Sequence, residues 1–317
     1  MKTYSFQAMG SRILIAMDTE STDFVSMTGQ ATAWFEEWEQ IFSRFRLTSE
    51  LNEVNRTSGK WTQVSETFWA VLNISLKNKE MTHGLVTPEA LNALERAGYS
   101  VSFEEMANHM ESLLRQPILQ SEGGEIELDD ESRSIRLPQG RRIDLGGVVK
   151  GWAAWQTMLR LQKSAPVLVD AGGDIAISGF MNGNQPWPVG VTNPHDASQN
   201  LSLLMVSGGG LATSGRDYRK WQKEGRWQHH IIDPRIDKPA ETDVLSATVF
   251  AKDLVTAEAY AKMGLILGSE SARSELDTVE GLAYFLVLED GTQISNYSFN
   301  EMVWNERWIN QQKQISA

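Results

Sequence analysis

The sequence predicts an α+β fold built on a mainly antiparallel sheet, and three observations predict it. Amphipathic helical patterns fill the first part of the chain, whereas short apolar runs between turn residues fill the second. Strand and helix do not alternate throughout, as a doubly wound parallel sheet would require. No solenoid-period repeat, low-complexity tract or linker rich in Pro, Ser or Gly divides the chain, so residues 1–317 are expected to form a single domain.

Residues 12–17 form an apolar run after a Gly-Ser pair and read as a strand. Over residues 27–45, Trp34, Phe35, Trp38, Ile41, Phe42 and Phe45 recur at the spacing of one helix face, with Glu36, Glu37 and Glu39 on the solvated side. A second helix is expected over 65–80. A third has its punctuation in place: Thr87 as N-cap, Pro88 at the first helical position, Glu89 in the first turn and Gly98 after the end. Residues 101–140 carry the weakest pattern, an acidic helix-like piece followed by Glu122-Gly-Gly-Glu125 and a short strand pair around Ile126 and Ile135. A strand then ends at Asp144, and a Gly-Gly turn opens a helix running to about Lys163. Strands are expected at 166–171 and 174–178 around Gly172-Gly173, then at 187–191, 201–207 and 244–251. A helix over 256–267 and a hairpin from 283–288, turning at Asp290-Gly291, close the core.

Composition narrows the function. The chain has 41 acidic and 29 basic residues, a net charge of -12, and no cysteine, which excludes a disulfide-stapled module, a zinc ribbon, an iron–sulfur protein and a cysteine nucleophile. So acidic a chain lacks the phosphate-neutralising surface of a general nucleic-acid binder. At 41% hydrophobic and 22% charged it is of ordinary globular composition, long enough for one large core or two joined lobes. Eleven Trp residues point to large aromatic contacts. The first ten residues hold one basic side chain and no apolar stretch, and no window has the length of a membrane span, so a cytoplasmic location is expected.

Four segments carry residues suited to chemistry. In Asp144-Leu-Gly-Gly-Val-Val-Lys150-Gly, glycines at a turn let a ligand approach the backbone, and the helix behind them offers unpaired N–H groups to a phosphate. Lys150 adds a cation. The same residues equally suit a tight turn capped by Asp144 with Lys150 in solvent, and the spacing is neither a dinucleotide fingerprint nor a Walker loop. Val169-Asp-Ala-Gly-Gly-Asp174 suits either a ligand's close approach or a tight crossing of packed strands. Ala212-Thr-Ser-Gly-Arg-Asp-Tyr218 and His229-His230-Ile-Ile-Asp-Pro-Arg235 gather the hydroxyls of Thr213 and Ser214, the guanidiniums of Arg216 and Arg235, and two of the five histidines. This is a basic island in an acidic chain, as an anionic ligand requires. Adjacent histidines in a strand point to opposite faces, so one of the two at most faces a given site as a general base. In Thr256-Ala-Glu-Ala-Tyr-Ala-Lys262, Glu258 and Lys262 have the spacing of an ordinary surface ion pair.

Taken in order, these segments resemble the ApbE family of flavin transferases (FAD:protein FMN transferases). The resemblance also rests on Ala8-Met-Gly-Ser11, on Phe42-Ser-Arg-Phe-Arg-Leu-Thr-Ser-Glu-Leu-Asn-Glu-Val-Asn55 and on Thr87-Pro88, and runs from near residue 8 to about residue 290. It implies an α+β fold, related to T-folds, of two similar halves with mainly antiparallel sheets packed by helices and a ligand cleft between them. It also implies transfer of the FMN moiety of FAD to a Ser or Thr hydroxyl of an acceptor protein, with release of AMP. By position, Met9, Phe45, Val86, Thr87, Asp144, Lys150, Thr213, Ser214, His230 and Ile231 match flavin or adenine contacts, with His230 the candidate base. Gly147 matches a position whose backbone oxygen helps hold Mg²⁺.

Two departures stand out. The family's Phe-Asp-Pro-Thr is here Val86-Thr87-Pro88-Glu89, which moves or removes a carboxylate. The family's Ala-Asp-x-x-x-Thr, whose Asp and Thr ligate Mg²⁺, is here Ala257-Glu258-Ala-Tyr-Ala-Lys262. Glu258 still offers oxygen to a hard cation, whereas the ammonium of Lys262 has donors and no acceptor. Two other readings therefore accompany the transferase: an FAD-binding carrier or sensor without catalysis, and an FAD pyrophosphatase that passes FMN to water. Asp290-Gly-Thr292 lacks the rest of an acceptor motif, so the expected partner is a separate protein.

Overall fold

Eight strands, each beside its successor in the chain, make one antiparallel sheet: β1 (Lys2–Ala8), β2 (Ser11–Met17), β3 (Val167–Ala171), β4 (Asp174–Ile177), β5 (Gly209–Gly215), β6 (Val244–Ala251), β7 (Ala283–Leu288) and β8 (Gln293–Ser295). The computed structural model describes residues 1–101, 123–217, 219–223 and 225–305. The acidic helix-like piece expected up to Glu122, and Tyr218, lie outside the described residues. Between β2 and β3 run α1 (Phe24–Phe42), α2 (Glu50–Arg56), α3 (Glu66–Met81), α4 (Leu91–Arg96) and α5 (Gly146–Leu161). Between β6 and β7 run α6 (Leu254–Leu267) and α7 (Ser269–Leu276), and α8 (Tyr297–Met302) follows β8. Each half thus reads strand, strand, helices, strand, strand, and the halves join where β4 pairs with β5.

Period-two alternation sorts the strand side chains between two cores. Ile13, Ile15, Val167, Val169, Ala212, Val249, Tyr284 and Leu286 face the helices, with Phe35, Trp38, Phe42 and Trp152 among them. Leu168, Ile175, Ile177, Leu211, Phe285 and Val287 face the other way, beneath a long hairpin of Trp187–Asn193 and Asp196–Val206. Phe299 of α8 closes that second core by stacking on Phe285 at 5.0 Å between ring centroids. With both faces covered, 167–169 and 283–288 read as continuous apolar runs. The tryptophan count is partly explained by the α1–α5 contact, where Trp38 meets Trp152 edge-on at 5.0 Å.

Several elements differ from the sequence expectation. The first helix spans Phe24–Phe42 and ends at Ser43, whose backbone is extended, so Phe45 lies beyond it in a loop. Thr87 does cap, accepting from the Glu89 N–H at 3.3 Å, but the turn behind it is a 3-10 helix over Pro88–Ala90 before α4 begins. Residues 142–144 make no strand; the Asp144 N–H donates instead to the Pro88 carbonyl at 2.8 Å. Helix α6 begins at Leu254, before the expected 256, and Asp253 caps it by accepting from the Thr256 N–H. Strand β1 and helix α2 were not expected, and the strand expected at the paired histidines is one arm of a hairpin, Lys220–Lys223 with Arg226–His229. Among the described residues, no helix is long and apolar enough to cross a membrane.

Candidate active site

Helices α5 and α6, one from each half, pack against one another, and the site is built at that junction. Gly151 of α5 makes the contact possible, because a methyl group there would collide with Oε2 of Glu258 on α6. Glu258 is 1% exposed. Its Oε1 accepts from Lys262 Nζ at 2.8 Å, one turn further along α6, while Oε2 is buried without a hydrogen-bond partner. The Lys262 stem runs past Gly147 in the first turn of α5, with its Cε 3.6 Å from where a Cβ would sit. Lys150, one turn on from Gly147, donates to Asp174 Oδ2 at 2.5 Å. Asp174 opens β4 and is itself buried. Burial raises the Glu258 pKa, and the neighbouring Asp174 adds to this against the opposing fields of Lys262 and Lys150. Burial alone would lower the Lys150 pKa, but Asp174 and Glu258 outweigh it and raise it, so Lys150 is held as a cation.

Two tight turns frame this cluster. Gly172 (φ 69°) and Gly173 (φ 96°) join β3 to β4 in the left-handed conformation that such two-residue turns demand. The β1–β2 turn is Met9-Gly10, with φ 52° and 62°; an unbranched but bulky Met in that region is strained, a mark that recurs at functional positions. The turns touch, since a Cβ on Gly172 would lie 2.9 Å from Ser11 Oγ. Arg219 ties the first turn to the second half, its Nη2 donating to Gly10 O at 2.8 Å and Ser11 Oγ at 3.1 Å. On β5 the Thr213 N–H donates to Gly173 O at 3.2 Å, and its hydroxyl pairs with that of Thr248 at 3.0 Å.

The two histidines have different surroundings, although only His229 lies in a strand, which ends there. His229 is buried, its Nε2 donating to Ala240 O at 2.9 Å and its Nδ1 accepting from the Ile231 N–H, and burial lowers its pKa to about 4. His230 faces the cations. Its Nδ1 is buried without a partner, and its pKa is pushed well below 6.5 by burial first and then by Arg219 and Lys150. A neutral imidazole with an unpartnered ring nitrogen, held among cations, can take a proton from a group brought beside it.

An aromatic shelf borders the N-terminus of α5. The Arg44 guanidinium lies against both the Phe45 and Tyr99 rings, 4.4 and 4.5 Å from their centroids, and pairs with Asp144 Oδ2 at 3.3 Å. Asp144 Oδ1 in turn accepts from the Gly146 N–H at 2.7 Å. Tyr99 continues to Trp221, at 5.4 Å between centroids. Phe45 remains 39% exposed.

The sequence model described as the ApbE family matches residues 9–286. The chain belongs to the ApbE family. Among curated relatives, the FAD:protein FMN transferase of Treponema pallidum is 28% identical over 270 residues, covering 80% of this chain and 74% of its own. That of Klebsiella pneumoniae is 24% identical over 296 residues, covering 91% and 90%. Among solved structures, the ApbE protein of Thermotoga maritima superposes with a TM-score of 0.82 at 24% identity, covering 96% of this chain and 99% of that one. The flavin transferase ApbE of Vibrio cholerae gives 0.77 at 19% identity, covering 95% and 99%. These two likenesses establish the ApbE fold.

In this ApbE chain the residues singled out by sequence are not all alike. Gly147, Lys150, Glu258 and Lys262 meet at the helix junction, and His230 feels the same lysines. Glu258 and Lys262 are a buried pair, not a surface one, because α6 is covered nearly all round. Ser214 and Ile231 are buried, Ile231 in the helix-side core. Val86 donates its N–H to Thr82 Oγ1, and Glu89 beside Thr87 is committed to Lys79 and Arg141. The basic island is corrected: Arg216 is held by Val244 O, Thr242 O and Glu289, and Arg235 by Asp233, so neither guanidinium is turned to the cluster. Arg219, Asp174, Arg44, Tyr99 and Trp221 were missed. Asp174 had a signal, since it closes the Gly-Gly motif; Arg219 had only its place within the basic stretch.

The residues present do not fit a divalent metal ion. Among the described residues, no three His, Asp or Glu side chains are grouped to hold one. Gly147 and Glu258, the two expected ligands, flank the Lys262 side chain, whose ammonium bonds to Glu258 Oε1 at 2.8 Å. A doubly charged ion about 4 Å from that ammonium meets a repulsion of roughly 8 kcal/mol at an effective dielectric of about 20.

Proposed function

We propose that this ApbE-family chain transfers the FMN moiety of FAD to a Ser or Thr hydroxyl of an acceptor protein and releases AMP, and that one transferase unit spans the chain. The observation that carries the reading is His230: a half-buried neutral base whose Nδ1 is buried and unpartnered, set among Lys150, Lys262 and Arg219. The names of the curated relatives support the same activity. In the proposed step the acceptor hydroxyl oxygen bonds to the FMN phosphorus and the bond from that phosphorus to its bridging oxygen breaks. The electron pair leaves with AMP, and the hydroxyl proton passes to His230 Nδ1. Lys150, held as a cation by Asp174, and the Lys262 ammonium neutralise charge on the pyrophosphate beside the N-terminus of α5. By their positions in the family pattern, Met9, Phe45, Val86, Thr87, Asp144, Thr213, Ser214 and Ile231 complete the proposed set of flavin and adenine contacts. No step runs through Mg²⁺, because the donor set does not fit it.

The test is incubation of the protein with FAD, with and without a peptide bearing an acceptor Thr, reading AMP release and flavin fluorescence that survives denaturing electrophoresis. Labelled peptide with equimolar AMP is expected. AMP without labelled peptide would instead identify a pyrophosphatase, and bound FAD with neither product a carrier or sensor.

A further inference from the structure

We propose that Lys262 is a built-in cation standing in for a divalent metal ion, so that this chain binds the pyrophosphate of FAD without any divalent cation. The inference rests on the flavin-transfer reading. Its structural basis is the order of contacts across the α5–α6 junction. Glu258 is sealed against Gly151 and spends Oε1 on Lys262 Nζ, which fixes the ammonium beside Gly147, in the first turn of α5 and at the positive end of its dipole. An ammonium has three donors. Glu258 takes one, leaving two for phosphate oxygens. Lys150 lies one turn along the same helix and is anchored in the same manner by Asp174. Two lysines, each tethered by a buried carboxylate, thus flank one helix N-terminus, and the side chain one turn from Glu258 is the cation itself and not a second oxygen ligand. The remaining carboxylate oxygen, Glu258 Oε2, is packed against Gly151 and stays unpartnered. Removing the ammonium leaves that carboxylate buried and uncompensated, so it must either take up a proton or pair with another cation, and an oxygen supplied at position 262 favours the second.

The test is FAD binding by the full chain, followed by flavin fluorescence, in excess EDTA and in excess MgCl₂, together with the Mn²⁺ electron spin resonance signal as a probe of metal capture. For the natural chain the two Kd values are expected to agree within about threefold, and added Mn²⁺ is expected to stay free in the presence of FAD. Lys262→Thr is expected to bind FAD at least about tenfold more weakly in EDTA, to recover in MgCl₂ and to capture Mn²⁺. Lys262→Met, which has no oxygen, is expected to lose the same affinity without recovery. Tightening of the natural chain by Mg²⁺ of about tenfold or more, stoichiometric Mn²⁺ capture by it, or unchanged affinity of both variants in EDTA would each overturn the proposal. The natural chain in EDTA decides the matter even if a variant fails to fold. Mg²⁺-dependent FAD binding removes this inference and leaves the transferase reading intact, whereas no FAD binding under either condition removes both.

Discussion

Two helical glycines give opposite predictions from the same substitution. Gly29 lies inside α1, and a Cβ built on it meets nothing within 4 Å. Gly29→Ala is therefore expected to gain the difference in helix propensity, about 0.5–1 kcal/mol of stability. Gly151 lies inside α5 and has the same propensity to gain, but its Cβ would overlap Glu258 Oε2, with Glu258 Cδ at 3.2 Å and Leu254 Cγ at 3.5 Å. The carboxylate has no room to withdraw, being 1% exposed and tied to Lys262. Overpacking costs about 1–3 kcal/mol, and breaking the buried pair costs about 3–5 kcal/mol if the carboxylate is driven off its partner. After the propensity gain, Gly151→Ala is expected to destabilise by up to about 2.5 kcal/mol from overpacking alone and by about 3 kcal/mol or more if the pair breaks, and to weaken FAD binding because Lys262 moves with Glu258. The assay is urea unfolding of the full chain, comparing midpoints at unchanged slope. If Gly151→Ala stabilises as Gly29→Ala does, the α5–α6 contact is not the tight junction described, and the site built on it fails.

His230→Ala is expected to slow transfer by about 10²–10⁴-fold while changing FAD affinity far less; equal losses would remove the base role. Because burial and nearby cations push the His230 pKa well below 6.5, the base form persists below that value, and the acid limb of kcat/KM against pH is expected below 6.5 and not at it. His229 gives a stability prediction of fixed sign. Its pKa is lowered from 6.5 to about 4, so its contribution is fully present above 6.5 and is lost as pH falls toward about 4, by roughly 3 kcal/mol in total. Urea unfolding across that window, compared between the natural chain and His229→Gln, measures it; parallel pH dependences in the two proteins would refute it.

How much of this was legible in the sequence depends on whether a signal was local. Turn and cap residues act within a few positions, and they located the Gly172-Gly173 turn, the Thr87 cap and the glycine-opened start of α5. Glu258 and Lys262 were read as a surface pair because i, i+4 spacing is the same on an exposed helix and a buried one. The sign of burial lay in their neighbours: Ala257, Ala259, Ala261 and Gly264 leave α6 without a polar face. Arg216 and Arg235 failed in the reverse sense. Counted by composition they made a basic island, yet each is neutralised by acceptors brought from elsewhere in the fold, such as Glu289, or by its neighbour Asp233. Strand β1 was missed because Lys2, Ser5 and Gln7 interrupt its apolar residues, as an edge strand with one wet face allows.

The two lysine–carboxylate pairs are hard to account for by stability alone. Taking an ion pair out of water costs several kcal/mol per ion, and replacement by apolar side chains of similar volume is commonly neutral or stabilising. This chain nonetheless buries two such pairs where its halves meet, and leaves Glu258 Oε2 and His230 Nδ1 without partners. A fold that needed only to close α5 onto α6 would place Ala or Leu at 258 and 262, in keeping with the apolar residues around them. The tethered ammoniums keep donors free beside a neutral base at a helix N-terminus, where an anion brought from outside can take them, while Glu258 Oε2 stays packed against Gly151 away from it. The stability forgone at the junction is therefore best understood as the preorganisation of a pyrophosphate site, with Lys262 fixed in place before the ligand arrives.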